Sequence, residues 1–452
     1  MVSDPEIAQN LMAMRGSKYS SRPSNIVFAQ IYAENSSMVT QPNGPAWAVK
    51  RKLLRHSLNP VALETFKTRQ EVEASRLVWD VAVQPESWNN AMLRFVSSIP
   101  FSIAYGRRID DLHSETLRHR LAHIKFATQL LRPDRFLIDS YPILRYLPYT
   151  AVLKDVKKRG QILEEFDQKL VDTVVDDLKV NGGAGQGSLA EYMLGARQND
   201  EQGINRLTPR QFRGLLGTVF SAGTDTTYTA LQNAILAFVT HPNAVAIAHR
   251  EIDDIFGTER SPAYTDQDNL PYLNAIIQES IRWRPSLGLS IPHATTEDDV
   301  YDGFKIPKGT PIIANTWTMN NLPAYFPRPT EFLPERFLPP SHPLHDPSLI
   351  GKEFPGKHQS AVFGWGRRAC PGAELSLSEQ FIALAKTLWA FDITAVEGKE
   401  YDIDIGNFEG IVTIKPMAFE AVFRIRSERH REVLERELQE SKVVIEKFPA
   451  LT

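Results

Sequence analysis

The chain has 452 residues, a formal net charge of −3, 42% hydrophobic residues and one cysteine. That balance excludes nucleic-acid binding through net field, a disulfide framework and a multi-cysteine zinc site. No stretch reaches the roughly 20 apolar residues that span a bilayer, and the opening Met-Val-Ser-Asp-Pro-Glu-Ile lacks the basic and apolar blocks of a signal peptide.

The length exceeds the size at which single cores usually split. No low-complexity linker divides it and no internal repeat is present, so residues 1–452 read as one domain with a charged extension over 427–452. Ser3-Asp-Pro-Glu6 reads as a helix start and is followed by Tyr19-Ser-Ser-Arg-Pro23. Helical patterns run over Trp47–Ser57, Leu117–Leu131 and Thr150–Lys179. The first carries Trp47 and Arg51 one turn apart, both donors suited to carboxylates. Gly182-Gly-Ala-Gly-Gln-Gly187 reads as a surface loop.

A long central helix begins at Thr208-Pro-Arg-Gln211, with a Thr cap, Pro at the first position and Gln at the third. It stops at His241-Pro242, about 48 Å away at 1.5 Å per residue. Its middle, Ala222-Gly-Thr-Asp-Thr-Thr227, is a run of poor helix formers. A threonine there can simply bond back to the preceding turn. A local conflict inside a well-capped helix can also mark function. Asn243–Phe256 and Pro271–Arg284 follow as helices. Glu279 and Arg282 in the second lie three apart on one face.

Sparse strand signals come next. Val300-Tyr301 and Phe304-Lys305-Ile306 flank the turn Asp302-Gly303 as a hairpin. Pro311–Ala314 and the alternation Phe419, Ala421, Phe423, Ile425 read as further strands. The fold class is mainly α with small β-sheets. The tail Ser427–Lys447 has helical spacing and reads as a solvated surface helix.

The lone Cys370 stands in Phe363-Gly-Trp-Gly-Arg-Arg-Ala-Cys370-Pro-Gly372. It can act as a nucleophile, sit inertly in a core, or give one thiolate to a metal. Flanking glycines admit something large and flat, and Arg367 and Arg368 bring positive charge. The helix predicted over Ala373–Phe391 would make Pro371 its first residue and Cys370 its cap, which favours a thiolate.

Phe363, Gly366, Arg368, Cys370 and Gly372 complete the pattern Phe-x-x-Gly-x-Arg-x-Cys-x-Gly, which resembles the haem-binding loop of cytochromes P450. The resemblance implies the P450 fold, with haem b between the central helix and the cysteine loop. It makes Cys370 the axial thiolate of the iron and places Phe363, Gly364 and Gly372 around it. Ala222-Gly-Thr-Asp-Thr-Thr227 resembles the family's oxygen-activation motif. By that match Ala222 and Gly223 let the helix approach the haem, while Asp225 and Thr226 relay protons to dioxygen. Glu279, Arg282 and Arg336 (in Pro334-Glu-Arg-Phe337) resemble the Glu–Arg–Arg triad. Trp47-x-x-x-Arg51 resembles the propionate-holding motif, with Ala48 where relatives often carry Arg. His293 and Arg368 match further propionate contacts.

The implied activity is insertion of one oxygen atom from O2 into an apolar small molecule, with electrons from NADPH through a reductase. The flavour is that of fungal secondary-metabolism P450s. Lys50, Lys52, Arg55, Arg367 and Lys386 form the expected basic docking face for the reductase. Substrate contacts are expected from Ser24–Ser37, the Phe212–Thr218 side of the central helix, Ser286–Ile291 and Phe408–Val412. Leu287, Leu289, Phe408 and Ile411 make that pocket apolar. Relative to the family pattern the sequence lacks the membrane anchor, the proline-rich hinge and the first strands. The family location is the cytosolic face of the endoplasmic reticulum, and the chain as it stands reads as cytoplasmic or peripheral. Two other readings keep the cysteine loop: a haem-thiolate isomerase, dehydratase or peroxygenase that needs no reductase, and an inactive haem protein. The intact Asp225–Thr226 pair argues against the first.

Overall fold

A computed structural model describes residues 1–132, 135–180, 187–446 and 450. Helices dominate, and the described strands form four two-stranded antiparallel sheets. This is the fold class expected. Most of the Gly182–Gly187 run lies outside the described residues.

The central helix is Pro209–Thr240. Thr208 accepts from the Gln211 amide at 3.2 Å, and the Gln211 side chain accepts from the Thr208 amide at 3.2 Å. Two orphan donors are thereby satisfied reciprocally. Beyond residue 229 the helix is mostly apolar: Leu231, Ala234, Ile235, Ala237 and Phe238 are all buried, and the buried Asn233 donates to the Arg284 carbonyl. A helix of that kind must be enclosed. It packs against the helices Trp88–Tyr105, Pro271–Trp283 and Ala373–Ala390.

The helix after the cysteine starts at Ala373, with Gly372 as its N-cap. Cys370 is therefore not the cap and Pro371 is not its first residue; Pro371 and Gly372 form a turn ahead of it. The helix ends one residue earlier than expected because Phe391 opens a strand, Phe391–Thr394, that pairs with Val422–Ile425. Phe419 and Ala421 lie outside that pairing. The predicted hairpin forms, with Tyr301 opposite Phe304 and positive φ at both Asp302 and Gly303, as a tight turn between right-twisted strands requires.

The C-terminal helix, Glu428–Ile445, corrects the expectation of a solvated element. Its face carrying Val433 and Leu434 is fully buried against Pro60–Val83 and Ala373–Ala390. Glu437 receives the Lys386 ammonium at 3.1 Å and the Ser261 amide at 2.9 Å. Helical periodicity reads the same for a docked and a free amphipathic helix; only the apolar seat distinguishes them.

Candidate active site

The cysteine loop is built around two left-handed glycines, Gly364 and Gly366, with φ of 68° and 58°. A side chain on Gly366 would meet the carbonyl of Met12 at 2.3 Å. That glycine therefore serves packing against the N-terminal segment, whereas Gly364 and Gly372 face open space. The Cys370 amide donates to the Phe363 carbonyl at 2.8 Å, closing the loop. Cys370 itself is exposed. Burial pushes its thiol up, against the Gly372 amide and Arg51, which pull it down. The flanking groups have the expected sign, but desolvation outweighs them. A cation on sulfur is what would hold the thiolate.

The central helix reaches this loop through Thr227, whose hydroxyl lies 3.2 Å from that of Ser376, one turn into the cysteine-side helix. Ala222 is exposed in the middle of an otherwise enclosed helix. Gly223 does not face the same way. A side chain there would meet Pro100 at 3.0 Å, so this glycine admits the neighbouring Trp88–Tyr105 helix. Thr226 bonds back to the Ala222 carbonyl at 2.7 Å. Asp225 accepts from the Thr413 hydroxyl at 2.5 Å.

Three guanidiniums converge beside the loop. Arg51 donates to the Ala369 carbonyl at 2.7 Å and leaves its Nε buried without a partner. Arg368 donates to Ser20 and Gln41 carbonyls at 2.7 and 2.8 Å and stacks over Trp47, 4.1 Å from the ring centroid. Arg22 donates to Val39, Ile291 and Pro292 carbonyls. Among the described residues none of the three has a carboxylate partner. Desolvation, with repulsion from Arg22 and Arg51, lowers Arg368 to about 9, and desolvation lowers Arg22 to about 10. The three are half-buried, and cations withdrawn from water are normally paired, so this cluster is complementary to an anion. Arg22 was legible only as part of Tyr19-Ser-Ser-Arg-Pro23; its convergence with Arg51 and Arg368 needed the fold.

His293 is buried, and its Nδ1 donates to the Tyr19 carbonyl at 2.8 Å. Nε2 of the neutral ring is then an acceptor. Burial, followed by Arg22, lowers the ring to about 3.

Glu279 binds Arg282 through two contacts, at 2.6 and 2.8 Å, and Arg336 at 3.1 Å, with all three side chains buried. Arg282 also donates to the Asn320, Pro329 and Glu331 carbonyls. The triad thus ties the Pro271–Trp283 helix to the loop segment that precedes the cysteine.

The expected basic face needs correction. Lys50 is buried and donates to the Ser36 carbonyl and Gln41; burial lowers it to about 7. Lys386 is buried against Glu437. Lys52, Arg55 and Arg367 remain exposed. Of the expected substrate segments, Leu289 and Ile411 are exposed, whereas Phe212, Leu215 and Leu216 point into the core. A side chain on Gly214 would meet Ser36 at 2.7 Å.

No group of three or more His, Cys, Asp or Glu side chains able to hold a metal occurs among the described residues. A lone thiol beside carboxylate-free guanidiniums suits a metal group that brings its own equatorial ligands and its own anionic arms. Haem is such a group, and the residues present fit it. A family model described as Cytochrome P450 matches residues 1–420. "Cytochrome P450 monooxygenase aneD" of Aspergillus aculeatus is 32% identical over 98% of this chain and 82% of its own length. "Cytochrome P450 monooxygenase polD" of Polytolypa hystricis is 31% identical over 99% and 85%. A zebrafish cytochrome P450 solved with progesterone shares the fold, with a TM-score of 0.76 and 21% identity over 94% of this chain and 93% of that one. The chain belongs to the cytochrome P450 family, and membership implies a haem iron cofactor. Among the described residues no helix is long and apolar enough to cross a membrane.

Proposed function

We propose that this chain is a haem-thiolate monooxygenase acting on an apolar small molecule in fungal secondary metabolism. The observation that carries the reading is the exposed Cys370, bordered by half-buried guanidiniums with no carboxylate among their partners. Bound there, haem b supplies oxygen activation and one-atom transfer. Cys370 would hold the iron, and Trp47, Arg51, Arg368 and Arg22 would hold the propionates. Phe363, Gly364 and Gly372 would line the group beside Cys370, and Ala222 would leave room for it along the central helix.

Asp225 and Thr226 are the acid and alcohol that move protons toward the reacting oxygen. Proton delivery confined to one position is what separates productive turnover from peroxide release, and a carboxylate next to a hydroxyl provides it. Glu279, Arg282 and Arg336 keep the loop's approach rigid. Electrons come from an NADPH–cytochrome P450 reductase docked over Lys52, Arg55 and Arg367 at the cytosolic face of the endoplasmic reticulum. Charge reversal at Lys52 and Arg55 should slow reduction at low salt, where such steering is strongest.

The test is reconstitution with reductase. Candidate metabolites are screened for the low-to-high spin shift, and product mass is then measured. Turnover that requires NADPH and O2 and adds one oxygen supports the reading. Turnover with substrate alone, or with peroxide and no reductase, overturns it in favour of isomerase, dehydratase or peroxygenase chemistry.

A further inference from the structure

The hydroxyl of Thr413 has one hydrogen, and it is given to the carboxylate of Asp225 at 2.5 Å. Thr413 is buried and stands in the turn between the paired strands Glu409–Gly410 and Ile414–Lys415. The turn is set by Gly410, whose φ is 136° and where a side chain would meet the Thr413 carbonyl at 1.8 Å. The next amide, Ile414, donates to the Ser286 carbonyl at 2.8 Å. The Ser286 hydroxyl in turn donates to the Thr226 carbonyl at 3.0 Å. These bonds make a closed ring through Asp225, Thr413, Ile414, Ser286 and Thr226. Two of its members belong to the acid–alcohol pair. The other three belong to the two segments, 286–291 and 408–415, that carry the exposed Leu289 and Ile411.

We propose that Thr413 is a positioning residue that ties the Asp225–Thr226 pair to the substrate-facing hairpin, so that the pocket wall sets the orientation of the acid. This rests on the reading of Asp225 and Thr226 as the proton relay. A hydrogen bond to a charged group is among the stronger ones in a protein. Holding Asp225 Oδ2 on the hairpin leaves the other carboxylate oxygen to exchange protons. A shift of the hairpin would turn the acid with it.

Two measurements test the tie. The first is thermal unfolding of the haem-loaded protein. Thr413→Val should lower the midpoint by about 2 °C or more, and the same substitution should have no effect in an Asp225→Ala background. The second uses holoenzyme, excess NADPH–P450 reductase and no added substrate, following NADPH oxidation in H2O and D2O. Asp225→Asn should slow oxidation by about tenfold or more and enlarge the solvent isotope effect. Thr413→Val should move both the same way by about 3- to 10-fold, with haem content unchanged. Thr413→Ser should restore both, and Gly410→Ala, which displaces Thr413 but keeps its hydroxyl, should follow the valine variant. Additive midpoints together with wild-type rate and isotope effect in Thr413→Val would overturn the tie while Asp225→Asn remains impaired. If Asp225→Asn itself changes neither quantity, the relay reading beneath it is wrong.

Discussion

Arg51 reaches across 318 residues of sequence to donate to the carbonyl of Ala369, the residue immediately before the thiol. The helix Pro45–Ser57 is thereby fastened to the cysteine loop. The same guanidinium has a buried Nε without a partner. One residue thus joins the Pro45–Ser57 helix to the residue beside the thiol.

Arg51→Ala and Arg368→Ala should each lower the haem-to-protein ratio and speed haem transfer to an apo-acceptor. Arg368→Lys should recover little, because an ammonium can neither fork to the Ser20 and Gln41 carbonyls nor stack on Trp47. Unchanged haem retention in all three variants would count against the anion cradle.

Cys370→Ala and Cys370→Ser should remove the thiolate-type absorption of the reduced CO complex, with the far-ultraviolet helical signal retained. Persistence of that absorption in Cys370→Ala would remove the basis for the axial assignment.

Glu279→Gln leaves two buried arginines without their shared carboxylate. Breaking such a pair typically costs about 3–5 kcal/mol. The expected result is a lower urea midpoint and reduced haem incorporation during expression. A midpoint within error of wild type would mean that the triad is not a lock.

Glu379 lies buried on the cysteine-side helix, with Oε1 unpartnered. Desolvation raises its carboxyl from 4.5 to about 8, against a hydrogen bond from Thr227. Between those values the folded state keeps a proton that the unfolded state releases, so its contribution to stability falls as pH rises through that window. Glu379→Gln is neutral throughout and should flatten the decline. Melting temperatures across the same pH range check this, and an identical slope in the variant would contradict it.

Glu437→Gln should destabilise the protein, because Lys386 loses the carboxylate that compensates its burial. Lys386→Met in the same chain should restore part of the loss. Equal melting of wild type and Glu437→Gln would show that the C-terminal helix is held by Val433 and Leu434 alone.

The sequence by itself determined what depends on neighbours along the chain. The caps at Thr208 and Gln211, the Asp302-Gly303 turn, the helical periods and the Phe363-to-Gly372 loop are local, because dihedral preference and apolar spacing act over a few residues. The Glu279–Arg282 pair was legible for the same reason, as its spacing is one helical turn. Tertiary structure decided everything that depends on which face meets which. It enclosed Lys50 and Lys386, which composition reads as surface charge. It turned Gly223 toward Pro100 and Ala222 toward the open space. It brought Arg22 to Arg51 and Arg368, and Thr413 to Asp225 across 188 residues. Burial and charge pairing are set by packing between distant segments, and it is desolvation in that packing that raises the Cys370 thiol and lowers Arg22 and Arg368.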